Sequence, residues 1–244
     1  HDEIEITNEE FLQKMKQSSE LPKSSQPPVG KFLEAYNDLT ADGSEVLSIH
    51  VTETLSGTVH SAHQAAGLAN GKVIVIDSEF CARAQAFQVL AAAEFASTAS
   101  TMEELLAHLE DIKSRTILYI SIANLENMIK GGRIGKTMGK LTSLMDIKAT
   151  LQMTNGKLHS DSKGRGTKSI VKRYKEICQT LHDAPKKVSA IGFTHIGMSD
   201  YSTTILAMLK STFPHVEPMV SYACPSVMTH AGPDAISVQF LLEK

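Results

Sequence analysis

The sequence predicts an α/β protein of two domains. A parallel α/β layer is expected over residues 1–113, then a mixed, mainly antiparallel sheet with helices on one face over 114–244. Three observations carry this. Two short apolar runs, "EVLSIHV" and "KVIVID", flank a helix-compatible stretch, as buried parallel strands joined by a crossover helix do. Beyond Ser114 strand-like runs dominate, and Asn155-Gly156 between two of them is a hairpin signal. With 42% hydrophobic residues among 244, the chain can bury one or two cores.

The elements follow in order. Thr7 and Glu10 have capping-box spacing, and Phe11, Leu12 and Met15 share a face, so a helix opens there. Pro27-Pro28 forces extended backbone, after which a short helix runs through Phe32 and Tyr36. "SGTVHSAHQAAGLA" is a helix opening on Ser56-Gly57, between the two parallel strands. "AFQVLAAAEFA" is apolar on most sides, so a buried helix is expected. "STMEELLAHLEDIK" is amphipathic, with Met102, Leu105, Leu106, Leu109 and Ile112 on one stripe. The strands expected next are "ILYISI", "IKATLQM", "KLHS", "VSAIGF", "EPMVSYA" and "AISVQFLL", with "VSAIGFT" and "AISVQFLL" central. Helices intervene at "TKSIVKRYKEICQTL" and "YSTTILAMLKSTF".

Composition narrows the function. A net charge of −3, from 24 basic and 27 acidic residues, argues against a nucleic-acid partner. Cys81, Cys178 and Cys224 form no CxxC pair, so neither a metal site nor a disulfide framework is expected. No apolar run approaches a membrane span and no signal peptide opens the chain, which predicts a cytoplasmic protein with at most transient membrane contact. The chain starts at His1 rather than Met, so a preceding segment is expected. No cofactor is expected.

Four stretches hold candidate chemistry. Ser24-Ser25-Gln26-Pro27 offers two hydroxyls on extended backbone, which either cap the next helix or face a ligand. Thr54-Leu55-Ser56-Gly57-Thr58 lies where a strand passes into a helix, whose N-terminus favours anions. Ser56 is either the N-cap or a donor to a bound carboxylate or phosphate. "LENMIKGGRIGKTMGK" invites a phosphate-loop reading that fails, because the pattern ending at Gly135-Lys136-Thr137 needs glycine where Lys130 stands. Gly131-Gly132 read instead as a helix C-cap, with Arg133 projecting from a sharp turn either as a surface charge or toward a site. Thr229-His230-Ala231-Gly232-Pro233 puts small residues after a histidine, which lets backbone approach closely. His230 remains open as base, ligand clamp or strand-end residue. The other histidines outside the N-terminus read as structural, and of these His195 alone sits at a strand end worth watching.

In this order the four stretches resemble the DegV family of bacterial lipid-binding proteins, which carries T-S-Q-P, S-x-S-G-T, L-x-x-L-x-K-G-G-R-I and T-H-x-G-P segments. Here they stand as Ser24-Ser25-Gln26-Pro27, residues 54–58, residues 125–134 and residues 229–233. The resemblance implies a long-chain fatty acid held between two domains. The protein would be a non-enzymatic partner presenting the carboxylate to a separate ATP-using fatty-acid kinase subunit. By position, Ser24, Ser56 and His230 would contact the carboxylate, with Arg133 at the mouth and Ser25, Gly57, Thr58 and Thr229 in support. The family's N-terminal strand is expected to be missing from this chain. Ser24 replaces the family's threonine and Ala149 its proline, so no acyl-chain preference carries over.

These residue types suit such a ligand. Burying an acyl tail contributes roughly 0.8 kcal/mol per methylene, while its charged end needs hydrogen-bond partners. Two other readings stand beside this one. The first is a stand-alone serine hydrolase using Ser56 and His230, although G-x-S-x-G is absent. The second is a lipid sensor without a kinase partner.

Overall fold

The computed structural model describes residues 5–99, 101–133 and 147–244, and it divides into two compact units. The first comprises the residues up to Ser24 together with Arg115–Thr154 and Leu158–Lys244. The second comprises Ser25–Ser114 with Asn155–Lys157.

In the second unit, α2 (Val29–Leu39), β1 (Val46–His50), α3 (Thr58–Ala66), β2 (Val73–Asp77), α4 (Ala82–Ala96) and α5 (Met102–Ser114) follow in order. β1 and β2 pair in parallel, from Val46 opposite Val73 to His50 opposite Asp77. Alternation along both strands serves two faces. Val46, Val73 and Val75 pack with Tyr36 of α2 and Val59, Ala62 and Ala65 of α3. Leu47, Ile49 and Ile76 pack with Ala92 of α4 and Leu105 and Leu109 of α5. The expectation that α4 is buried on most sides fails. Ala84, Phe87, Gln88 and Ala92 form its buried stripe, while Val89 and Leu90 are exposed. A helix lying on a sheet buries one stripe whatever its composition.

In the first unit, β3 (Thr116–Ile122), β4 (Ile147–Thr154), β5 (Lys157–Arg165), β6 (Val188–His195), β7 (Met219–Tyr222) and β8 (Ile236–Leu242) form a sheet of order β5-β4-β3-β8-β6-β7. β3 pairs antiparallel with β4 and β8, and so does β6 with β8, whereas β6 and β7 run parallel. Asn155 and Gly156 both have positive φ (49° and 69°), as a tight hairpin turn with the right twist requires. Helices α7 (Thr167–Asp183) and α8 (Asp200–Thr212) cover one face, with Tyr174, Ile177, Ile205 and Leu209 against Ile191, Phe193, Val238 and Phe240. Cys178 is buried there, and desolvation pushes its thiol up to about 11, so it is inert at neutral pH.

A second cluster of the same unit gathers α1 (Asn8–Gln17), α6 (Glu126–Lys130) and α9 (Pro225–Ala231) around Ile122, Leu151 and Ile196. α1 opens on the expected capping box, in which the Glu10 N–H donates to Thr7 Oγ1 and the Thr7 N–H to the Glu10 carboxylate. Its Leu12 and Met15 are buried in this cluster. That burial explains why the first 24 residues group with the C-terminal part of the chain rather than with the domain expected over 1–113. The segment around His230, read as a possible strand end, is the short helix α9 with Pro225 in its first turn.

Candidate functional site

His230 stands in the last turn of α9, and its surroundings come from three parts of the first unit. Its Nε2 lies 2.7 Å from Ser24 Oγ, at the end of the segment that follows α1. Its Nδ1 is buried and, among the described residues, has no hydrogen-bond partner. The reason is Gly131, whose backbone presses on that edge of the ring so closely that a Cβ there would fall 2.4 Å from Nδ1. Burial, followed by the charge of Arg133, pushes the His230 pKa down from the ordinary histidine value. The ring is therefore neutral at pH 7. A buried orphan N–H is costlier than a buried orphan lone pair. This favours the tautomer with its proton on Nε2, donating to Ser24 and leaving the exposed Ser24 hydroxyl hydrogen free to point elsewhere.

The Gly131-Gly132 turn closes α6 as the sequence suggests. The Gly131 N–H donates to the Asn127 carbonyl and the Arg133 N–H to the Met128 carbonyl. The two glycines serve different needs. Gly132 sits at φ +70°, and among the described residues nothing stands within 4 Å of where its Cβ would be, so it is its conformation that requires glycine. Gly131 has an ordinary φ of −76°, so it is the His230 ring that requires glycine there. Arg133 folds back, its Nη1 donating to the Gly131 carbonyl at 2.7 Å. Its neighbours Ile134 and Gly135-Lys136-Thr137 lie outside the described residues.

Thr229 is buried, and its hydroxyl donates to the Pro225 carbonyl within α9. A residue unremarked in the sequence completes this corner. Asn127 donates from Nδ2 to the Thr229 carbonyl at 3.0 Å, and its side chain packs against Gly232, which has φ +79°. The only sequence signal for Asn127 was its place inside the glycine-pair motif.

In the second unit, Gly57 rather than Ser56 is the N-cap of α3. The chain turns tightly before it, with the Ser56 N–H donating to the Thr52 carbonyl. Ser56 Oγ is 2.8 Å from Thr58 Oγ1 and accepts from the Thr58 N–H at 3.3 Å. Ser25 is exposed. Gln26, which belongs to the first motif, donates from Nε2 to Ser61 Oγ at 3.1 Å. Its amide lies where a Gly57 Cβ would be, 1.9 Å from Gln26 Oε1. The motif glycine and the motif glutamine thus explain each other. A groove of about 820 Å³ in this unit runs along β1 and α4, but Ser56, Gly57 and Thr58 do not line it. His195 is buried against Tyr222, with ring centroids 4.4 Å apart, and reads as a packed residue.

Among the described residues no cluster of His, Cys, Asp or Glu could hold a metal ion, and no helix is long and apolar enough to cross a membrane.

Comparison with known proteins gives a consistent result. The model of the DegV family matches residues 1–243. A DegV domain-containing protein of Listeria monocytogenes is 42% identical over 238 residues, covering 97% of this chain and 84% of that protein. One from Streptococcus pneumoniae is 41% identical over 230 residues, covering 93% and 81%. Among solved structures, a DegV family protein from Thermus thermophilus, described by its fatty-acid binding, superposes with TM-score 0.88 at 27% identity, covering 99% of this chain and 86% of that one. DegV from Bacillus subtilis, described as a fatty acid binding protein, gives 0.86 at 29% identity with the same coverage.

Proposed function

The chain belongs to the DegV family, and from that premise we propose that it binds a long-chain fatty acid and presents the carboxylate to a separate ATP-dependent kinase subunit. On that subunit a carboxylate oxygen attacks the γ-phosphorus of ATP, ADP leaves, and an acyl phosphate results. The chain itself contributes binding and orientation, and the reading places it in the cytoplasm, where ATP is available.

The observation that carries the proposal is the Ser24–His230 pair at 2.7 Å. A hydroxyl backed by a neutral imidazole donor, with the Arg133 charge acting on the same ring, suits one carboxylate. The hydroxyl hydrogen reaches the anion, and the imidazole can take up a proton if the anion's charge demands it. The likeness to the fatty-acid-binding Thermus thermophilus and Bacillus subtilis structures supports the ligand class. The kinase partner rests on the family resemblance. For Ser56, with Gly57 and Thr58, contact with the carboxylate is a separate proposal, tested by Ser56→Ala.

The hydrolase reading is weaker. A serine–histidine–acid relay needs a carboxylate at the second imidazole nitrogen, and that nitrogen of His230 is closed off by Gly131. A lipid sensor differs from the proposal only in having no kinase.

The test is native mass spectrometry with lipid extraction of the purified protein. It is followed by titration with oleate and by hydroxamate trapping of acyl phosphate with a kinase subunit and ATP. Co-purified fatty acid, lost in Ser24→Ala and His230→Ala, is expected. A chain that carries no lipid and takes up no oleate would sink the reading.

A further inference from the structure

The Ser24–His230 pair needs an imidazole held at a fixed angle, yet α9 is a helix of only 7 residues. Short helices are marginal by themselves and take their position from tertiary contacts. Asn127 is placed to supply such contacts at both ends of the arrangement. Through its main chain it accepts the Gly131 N–H at 2.8 Å and so fixes the turn that presses on His230 Nδ1. Through its side chain it donates to the carbonyl of Thr229, the residue before His230. It also fills the space against Gly232, where a Cβ would stand 3.1 Å from Asn127 Cγ. One residue therefore joins the face that closes one ring nitrogen to the helix that aims the other.

We propose that Asn127 is the positioning residue of His230, locking α9 to the Gly131-Gly132 turn so that Nδ1 stays shut against backbone and Nε2 stays aimed at Ser24. The role in ligand binding rests on the fatty-acid reading above, whereas the positioning of the ring does not. Leucine keeps the branched outline of asparagine at a larger volume but cannot donate to the Thr229 carbonyl. Alanine removes both the bond and the packing on Gly232. In either variant α9 should move off the turn and water should reach Nδ1.

The experiment follows the His230 ring directly. Protein labelled with ¹⁵N in its histidine rings is titrated by NMR, and His230 is assigned from the signal lost in His230→Gln. In the parent protein His230 should be neutral with its proton on Nε2 and should titrate below ordinary histidine. In Asn127→Ala and Asn127→Leu the midpoint should rise toward the ordinary value of about 6.5, and oleate affinity should fall roughly threefold to tenfold, as for one lost hydrogen bond. Glu126→Ala, which removes a surface ion pair with Lys130 on the same helix, should leave the ring unmoved. A parent-like His230 titration in either folded Asn127 variant overturns the proposal. So does loss of folding in both, which would make Asn127 a stability residue only. If the parent binds no oleate while the Asn127 variants still shift His230, the ligand reading fails and the positioning role stands.

Discussion

Replacing Gly131 by alanine should destabilise the protein, against the usual sign of that exchange. Gly131 has φ −76° and ψ −10°, which alanine adopts without strain. At such a position alanine ordinarily adds about 0.4–1 kcal/mol by restricting the unfolded chain. Here its Cβ would stand 2.4 Å from His230 Nδ1, 3.3 Å from His230 Cε1 and 3.0 Å from the Asn127 carbonyl oxygen. Ordinary contact begins at 3.4 Å, so the ring must retreat by about 1 Å. Its far nitrogen is already 2.7 Å from Ser24 Oγ, which leaves no slack in that direction. Overpacking of this kind costs roughly 1–3 kcal/mol, and losing the Ser24 bond adds roughly 0.5–1.5 kcal/mol. Set against the ordinary gain, the net loss is about 0.5–4 kcal/mol, which lowers the melting temperature by several degrees. Differential scanning fluorimetry and urea titration would measure it, with Gly132→Ala as the comparison. That variant meets no described residue but has φ +70°, so it should lose about 1–2 kcal/mol through backbone strain and leave His230 untouched. A Gly131→Ala protein as stable as the parent, or more so, would refute the steric account of this turn.

Gly57→Ala should expel the Gln26 amide and lose its bond to Ser61, at about 0.5–1.5 kcal/mol. Adding Gln26→Ala should cost almost nothing further, and additive losses in a double-mutant cycle would contradict the contact. Stability should also fall as the pH drops below about 6.5. Burial pushes His230, His195 and His50 below the ordinary value, with Arg133 adding to the effect at His230 and His63 at His50, while Glu9 opposes it at His195. Unfolded histidines take up protons near 6.5 and these folded ones only at lower pH, so the stability they contribute is complete above about 6.5 and is lost as the pH falls toward their folded values. A melting temperature that stays flat or rises on acidification would count against this. Arg133→Ala should retain fatty acid, because Ser24 and His230 already supply donors for one carboxylate, and should fail in the kinase-coupled reaction. Lipid loss in proportion to lost turnover would make Arg133 a plain ligand contact.

Local patterns in the sequence determined much of this protein. Capping-box spacing at Thr7 and Glu10 fixed the start of α1, apolar runs around a helical stretch fixed the β1–α3–β2 unit, and Asn155-Gly156 fixed a hairpin. The four motif stretches pointed to the family. Each of these signals lies within a few residues, where backbone preference and side-chain period act directly. Tertiary structure alone decided the rest. Ser24 and His230 are 206 residues apart, and Asn127 and Thr229 are 102 apart. No local pattern encodes such meetings. The 7-residue α9 is too short to show a helical period. Buried Leu12 and Met15 drew the N-terminal helix into the unit built from the far end of the chain. The clearest division falls at the glycine pair. Sequence showed that a turn was there, but only packing showed that Gly132 is required by its own backbone and Gly131 by the ring of a histidine 99 residues away.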